Sequence, residues 1–165
     1  MLFAFKSASP LNTKLIGPDD GTAPLYIVRT PLLHVPWVTA ITRCEGGTIR
    51  RFCDIIWSVR HPRVRIGTNE LPLDDFLAKI PGSSWAENHR MFSAGGRKFR
   101  WLDSLRPYAR VELVDANTGT PVAYLNHGFF SKTTLSIEAA DVEPQVLDMV
   151  VVTAVIMERW REVRR

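Results

Sequence analysis

Residues Pro144 to Met157 read P-Q-V-L-D-M-V-V-V-T-A-V-I-M, and Asp148 is the one charge among them. A helix on a protein surface shows a polar face every turn, whereas a helix that is apolar all round has to be buried. The run is too short for a bilayer, which takes about 20 apolar residues. It therefore belongs inside the protein, as a helix over about 142–163 with Asp141 as N-cap and Pro144 in the first turn, where proline is tolerated. This constrains architecture strongly and activity hardly at all.

Everything before that helix reads as β-structure. Val38–Arg43 and Thr48–Val59 flank Gly46-Gly47, a two-residue hairpin signal, and the second arm alternates badly enough to predict a bulge. Arg90–Ser93 and Arg97–Leu102 flank Ala94-Gly95-Gly96, and Tyr108–Val114 and Val122–Asn126 flank Asp115–Pro121, which predicts two more hairpins. Leu2–Phe5, Leu25–Thr30, the alternating Arg63–Ile66 and Thr133–Glu138 complete the strands, while Leu71–Leu77 fits a short strand or one helical turn. Asn12–Gly21 reads as turn-rich with a stop at 17–21, and 81–88 as a loop. With no repeat and no linker, residues 1–165 form a single domain of about ten strands and one helix. Two sheets sandwiching the helix, or one sheet closing around it, would both bury it. Closure leaves no exposed edge and is the expectation: an all-β closed antiparallel barrel of about ten to twelve strands around a hydrophobic C-terminal helix.

Lys and Arg number 21 against 17 Asp and Glu, a modest basic excess. Arg63 and Arg65, with Arg97, Lys98 and Arg100, form clusters that can face phosphate groups. Cys44 and Cys53 flank the first hairpin turn, which sets Cys44 opposite Ile49 and Cys53 opposite Ala40, so the two do not pair. Two unpaired cysteines and the lack of a signal-peptide pattern at Met1–Lys6 predict a cytoplasmic protein, without a transmembrane segment.

Motifs of chemistry are weak. Asp115-Ala-Asn-Thr-Gly has Thr120 and Asn126 where a calcium loop needs glycine and glutamate, so it reads as a turn. Gly95-Gly-Arg-Lys98 lacks the full phosphate-loop pattern and is followed by a strand. His34, His61, His89 and His127 have no metal-binding spacing, and neither a metal nor a cofactor is expected. Phe99, Trp101 and Tyr108 beside Arg97 and Arg100 suggest base stacking, but alternation turns the aromatics away from the arginines and makes nucleic acid an unfavoured partner. Asp148 needs a buried tie to an arginine or a backbone amide.

Several segments together carry a family resemblance: Pro10–Thr13 with Leu25–Val28, Thr48–Arg50 with Ile56-Trp57, Leu71–Leu77, Phe92–Arg97 with Phe99–Trp101, and most specifically Leu147–Ala154. The chain resembles a fungal family of small proteins classed as a domain of unknown function, and through it the tubby-like group with the LURP-one-related proteins and the phospholipid scramblases. The resemblance implies a closed barrel of about twelve strands threaded by the C-terminal helix. Tubby domains bind phosphoinositides through basic side chains outside the barrel, yet no residue-by-residue match to those side chains is visible here. The calcium-binding and cysteine-rich segments of scramblases have no counterpart.

Two functions follow as expectations. The first is an intracellular non-enzymatic binding or scaffolding module, its ligand an anionic phospholipid headgroup or a protein partner. Arg63, Arg65, Arg97, Lys98 and Arg100 would be the headgroup clamps, and a lipid ligand would place the protein at the membrane periphery. The second is a small enzyme with an apolar pocket at one barrel end, using Asp148 and His127 as acid and base.

Overall fold

A computed structural model describes residues 2–5, 9–16, 24–31, 36–82, 88–104, 109–126, 133–138 and 142–164. The turn expected at 17–21, the centre of the loop at 83–87, and His34, Tyr108, His127 and Asp141 lie outside the described residues. Thirteen strands occur in chain order: β1 (Leu2–Phe5), β2 (Thr13–Ile16), β3 (Tyr26–Arg29), β4 (Trp37–Glu45), β5 (Thr48–Trp57), β6 (Arg63–Ile66), β7 (Asn69–Pro72), β8 (Ala78–Lys79), β9 (Arg90–Ala94), β10 (Arg97–Leu102), β11 (Val111–Asp115), β12 (Pro121–Asn126) and β13 (Thr134–Ile137). A helical turn, α1 (Leu73–Phe76), separates β7 from β8, and the long helix α2 (Pro144–Val163) closes the chain. Two strands lie where the sequence shows no strand signal. β2 occupies part of the turn-rich stretch, because Thr13 and Leu15 face inward between Lys14 and Ile16 over only four residues. The two-residue β8 is too short to carry any periodicity.

All strands join one antiparallel sheet in the order β7-β6-β5-β4-β3-β2-β1-β13-β12-β11-β10-β9-β8. Consecutive strands pair throughout except β7 with β8, and β1 also pairs with β13, which links two meanders. The sheet is not closed into a barrel. Its edges, β7 and β8, form no ladder with each other, although residues 73–77 connect them and limit their separation to roughly 20 Å. The physical reason lies at the edges themselves: Pro72 has no N–H to donate, β8 offers two residues, and the chain between them turns into α1. Leu73 and Leu77 fill this seam with side chains at 1% and 0% exposure. Arg90 fastens it, donating to Asp74 at 3.0 Å and to the Leu77 carbonyl at 3.3 Å while its guanidinium lies 4.3 Å from the Trp160 ring of α2.

The helix occupies the interior as its composition requires. Every residue from Val150 to Glu158 is buried, a run longer than two turns, so no face of this segment meets water. The helix begins at Pro144 with Glu143 as N-cap, so the cap is two residues later than Asp141 and makes no side-chain bond. The Glu143 carbonyl accepts from the Val146 and Leu147 amides. Inside, the Trp101 indole of β10 donates to Thr153 Oγ1 at 3.0 Å, satisfying a polar atom that the core would otherwise leave unpaired.

The β4–β5 hairpin turns on Gly46 and Gly47 with φ of 55° and 79°, the left-handed values that a two-residue turn of this type needs. Cys44 faces Ile49 as expected, but Cys53 faces Ile41 rather than Ala40. The register slips between Ile41 and Thr42, which makes Phe52 the extra residue of a bulge and moves Cys53 one position along. Both thiols are free. Burial, with a smaller contribution from neighbouring Asp54, pushes the Cys53 thiol up to about 12. At pH 8 a thiol-reactive dye is therefore expected to titrate Cys44 alone in the folded protein and both cysteines in denaturant. Two thiols reacting at equal rates in the folded protein would contradict this placement.

Candidate functional site

Strands β2 and β3 alternate so that Leu15, Tyr26 and Val28 point into the core, leaving Lys14, Ile27 and Arg29 on the outer face. The ladder sets Lys14 opposite Ile27, and Arg29 is two residues further along the same face. Strand β4 contributes small side chains beside them, Thr42 opposite Ile27 and Ala40 opposite Arg29. The result is an open groove of about 460 Å³ lined by Asn12, Lys14, Ile27, Arg29 and Pro31 among others, with no carboxylate among the described residues of its lining. Among the described residues, neither Lys14 nor Arg29 has a partner in an ion pair or a side-chain hydrogen bond. The groove wall is held in place by Thr30, whose amide donates to Asn12 Oδ1 at 2.9 Å and whose hydroxyl donates to the Leu11 carbonyl at 2.8 Å.

The same outer face continues through β5 and β6. Asp54, opposite Ala40 and Arg65, is buried between two guanidinium groups: Arg51 Nε donates to Oδ1 at 2.6 Å and Arg65 Nη2 to Oδ2 at 2.6 Å. Asp54 in turn raises the Arg65 guanidinium above its ordinary value, through the hydrogen bond first and charge second. Lys14, Arg29, Arg51 and Arg65 thus share a face on which Asp54 is the partner of two of them.

The five predicted clamps do not converge. Arg63 and Arg65 stand on β6 and the other three on β10, with β7, the open seam, β8 and β9 between the two strands. Arg63 pairs with Glu70 at 2.7 Å and Arg97 with Asp115 at 2.7 Å. Arg97 also differs from the expected facing. It shares parity with Phe99 and lies 5.1 Å from that ring, so only Lys98 and Arg100 of β10 turn away from the aromatics. Asp115 is a turn residue: it accepts from the Asn117 and Thr118 amides at 2.9 and 3.2 Å, and the Arg97 bond first, then these amides, hold its carboxyl below the usual carboxylate range.

Asp148 is half-buried and tied on both oxygens. The Tyr26 hydroxyl donates to Oδ1 at 2.8 Å, and Arg43 Nη1 lies 3.4 Å from both oxygens. Burial first, and Asp148 second, push the Tyr26 phenol well above its usual range, which keeps it protonated as the donor. His127, its expected partner in acid–base chemistry, lies outside the described residues.

A family described as one of unknown function, DUF6593, matches residues 8–163. The chain belongs to this family. Within this DUF6593 chain the match takes in both strands of the groove, the seam, and all of α2. Comparison with curated proteins and with solved structures finds no match.

Lys14 and Arg29 escape a reading of the DUF6593 sequence because neither belongs to a run of basic residues. Clustering along the chain singles out Arg63–Arg65 and Arg97–Arg100, whereas the cations of the groove are 15 residues apart and become neighbours only through the β2–β3 register. The one available signal is alternation: each is a charged residue at an outward position of a strand whose other positions are buried or half-buried.

Proposed function

We propose that this chain is a non-enzymatic intracellular binding module that holds an anionic lipid headgroup on the outer face of its sheet and sits at the membrane periphery. One observation carries the reading: α2 occupies the interior, while the outside offers a groove that, among the described residues, has two cations outside any ion pair and no acid. A phosphate on the outer face can take charge-assisted bonds from Lys14 and Arg29, while Arg51 and Arg65, two and three strands from Arg29 on the same face, share Asp54. The resemblance to tubby-like proteins read from the sequence points the same way, since tubby domains take phosphoinositides on external basic side chains. Asp148, bonded to Tyr26 and Arg43, holds the helix to the sheet and is not offered to a substrate.

Vesicle flotation tests the proposal. Each cation near an anionic surface contributes about 1 kcal/mol, so Lys14→Ala with Arg29→Ala is expected to weaken binding to phosphatidylserine or phosphoinositide vesicles roughly 30-fold. Binding should also fall steeply with salt. Lys98→Ala with Arg100→Ala, on the far strand, is the comparison. Equal binding to neutral and anionic vesicles would reject the proposal, and loss of binding only in the Lys98/Arg100 variant would move the site to β10.

A further inference from the structure

The groove lies toward the end of the sheet where β3 and β5 stop and β4 begins, and that end exposes apolar side chains. Trp37 stands opposite Trp57 across the β4–β5 ladder and is 46% exposed, and Val59, just beyond β5, is fully exposed. Single exposed apolar residues are ordinary and carry no argument alone. Here their company does. Arg60, His61 and Arg63 follow Val59 directly, and a second, smaller groove of about 150 Å³ is lined by those three with Pro72 and Asp74. The acids beside them are already engaged, Glu70 with Arg63 and Asp74 with Arg90. Among the described residues Arg60 has no such partner, and neither do Lys14 and Arg29 of the larger groove. Among the described residues, this end therefore combines a protruding indole and valine with several uncommitted cations.

That combination fits one kind of surface. Indoles settle at headgroup level, aliphatic side chains reach the acyl boundary, and cations meet lipid phosphates. We infer that this end of the sheet is the membrane-facing end, with Trp37 and Val59 entering the interface while Lys14, Arg29 and Arg60 engage the headgroups of an anionic bilayer. The inference rests on the anionic-lipid reading and adds to it an orientation and an insertion step. The opposite end supplies the comparison, since Ile49 at the tip of the β4–β5 hairpin is 70% exposed.

The test uses the full chain with Cys44→Ser, leaving only the buried Cys53, and adds either Val59→Cys or Ile49→Cys carrying an environment-sensitive fluorophore. Vesicles of phosphatidylcholine, with or without phosphatidylserine, carry a doxyl quencher in their acyl chains. On anionic vesicles the label at 59 should shift to the blue and be quenched, and the label at 49 should stay unchanged. Trp37→Ala, at an exposed position that the fold tolerates, should lower partitioning about tenfold without altering its salt dependence, because it removes apolar contact and no charge. A label at 59 that stays in water while flotation shows the protein bound overturns the inference and leaves the lipid reading standing, as does quenching at 49 instead. Failure to bind any anionic vesicle overturns both.

Discussion

Val152→Asp is expected to abolish the folded state. Val152 is 0% exposed and sits within the run of buried residues from Val150 to Glu158, so no rotation of α2 brings it to water. A carboxylate placed there has neither solvent nor a partner, and burying an unpaired charge costs several kcal/mol even after relaxation. The net stability of a domain is about 5–15 kcal/mol, so this one change consumes most or all of it. The milder Ile156→Ala, at another 0% exposed position, should cost about 2–5 kcal/mol, the range for deleting a large aliphatic side chain from a core. Circular dichroism and a urea titration separate the two outcomes. A cooperative melt retained by Val152→Asp would show that α2 can leave the interior, and the architecture described above would be wrong.

The second large effect is expected at the C-terminal end of the helix. Asp103 is 0% exposed; Arg164 Nη2 donates to its Oδ2 at 2.9 Å, and Arg161 Nε lies 4.0 Å from Oδ1. Arg161 is itself 6% exposed and donates to the Ala109 carbonyl at 2.8 Å. Asp103→Ala removes the carboxylate that both arginines face, and breaking a buried ionic group from one side typically costs about 3–5 kcal/mol. Most of that should come from Arg161, because Arg164 is a third exposed and water can replace its lost partner. Asp103→Asn, which keeps shape and an acceptor oxygen, should lose less. Equilibrium unfolding in urea measures both, and a loss below about 1 kcal/mol in the alanine variant would mean that the cluster does not anchor the helix.

These two sites also show how differently parts of the molecule can be read from the chain. The helix is legible because its apolarity has no polar face to interrupt it, and burial is the one solution in water. Asp148 is legible as a group in need of a partner, but Arg43 and Tyr26 lie 105 and 122 residues away, and only the packed sheet brings them to it. The hairpins follow from paired glycines, yet one bulged residue, Phe52, is enough to shift Cys53 from Ala40 to Ile41. Within the basic clusters along the chain, Arg63, Arg65 and Arg97 are tied into separate ion pairs on distant strands, and the cations that line the groove are instead the isolated Lys14 and Arg29.

Closure of the sheet marks the boundary. Local pattern specified a β-rich chain with an interior helix, because hydrophobic burial and the two-residue strand period act on neighbouring residues. Whether the last strand on one side met the last on the other depended on a proline without a donor, an edge of two residues, and a turn of helix between them, none of which announces its geometry in sequence. The tertiary structure decided that question, along with which cations line the groove, because both depend on distances between residues that the chain order does not place side by side.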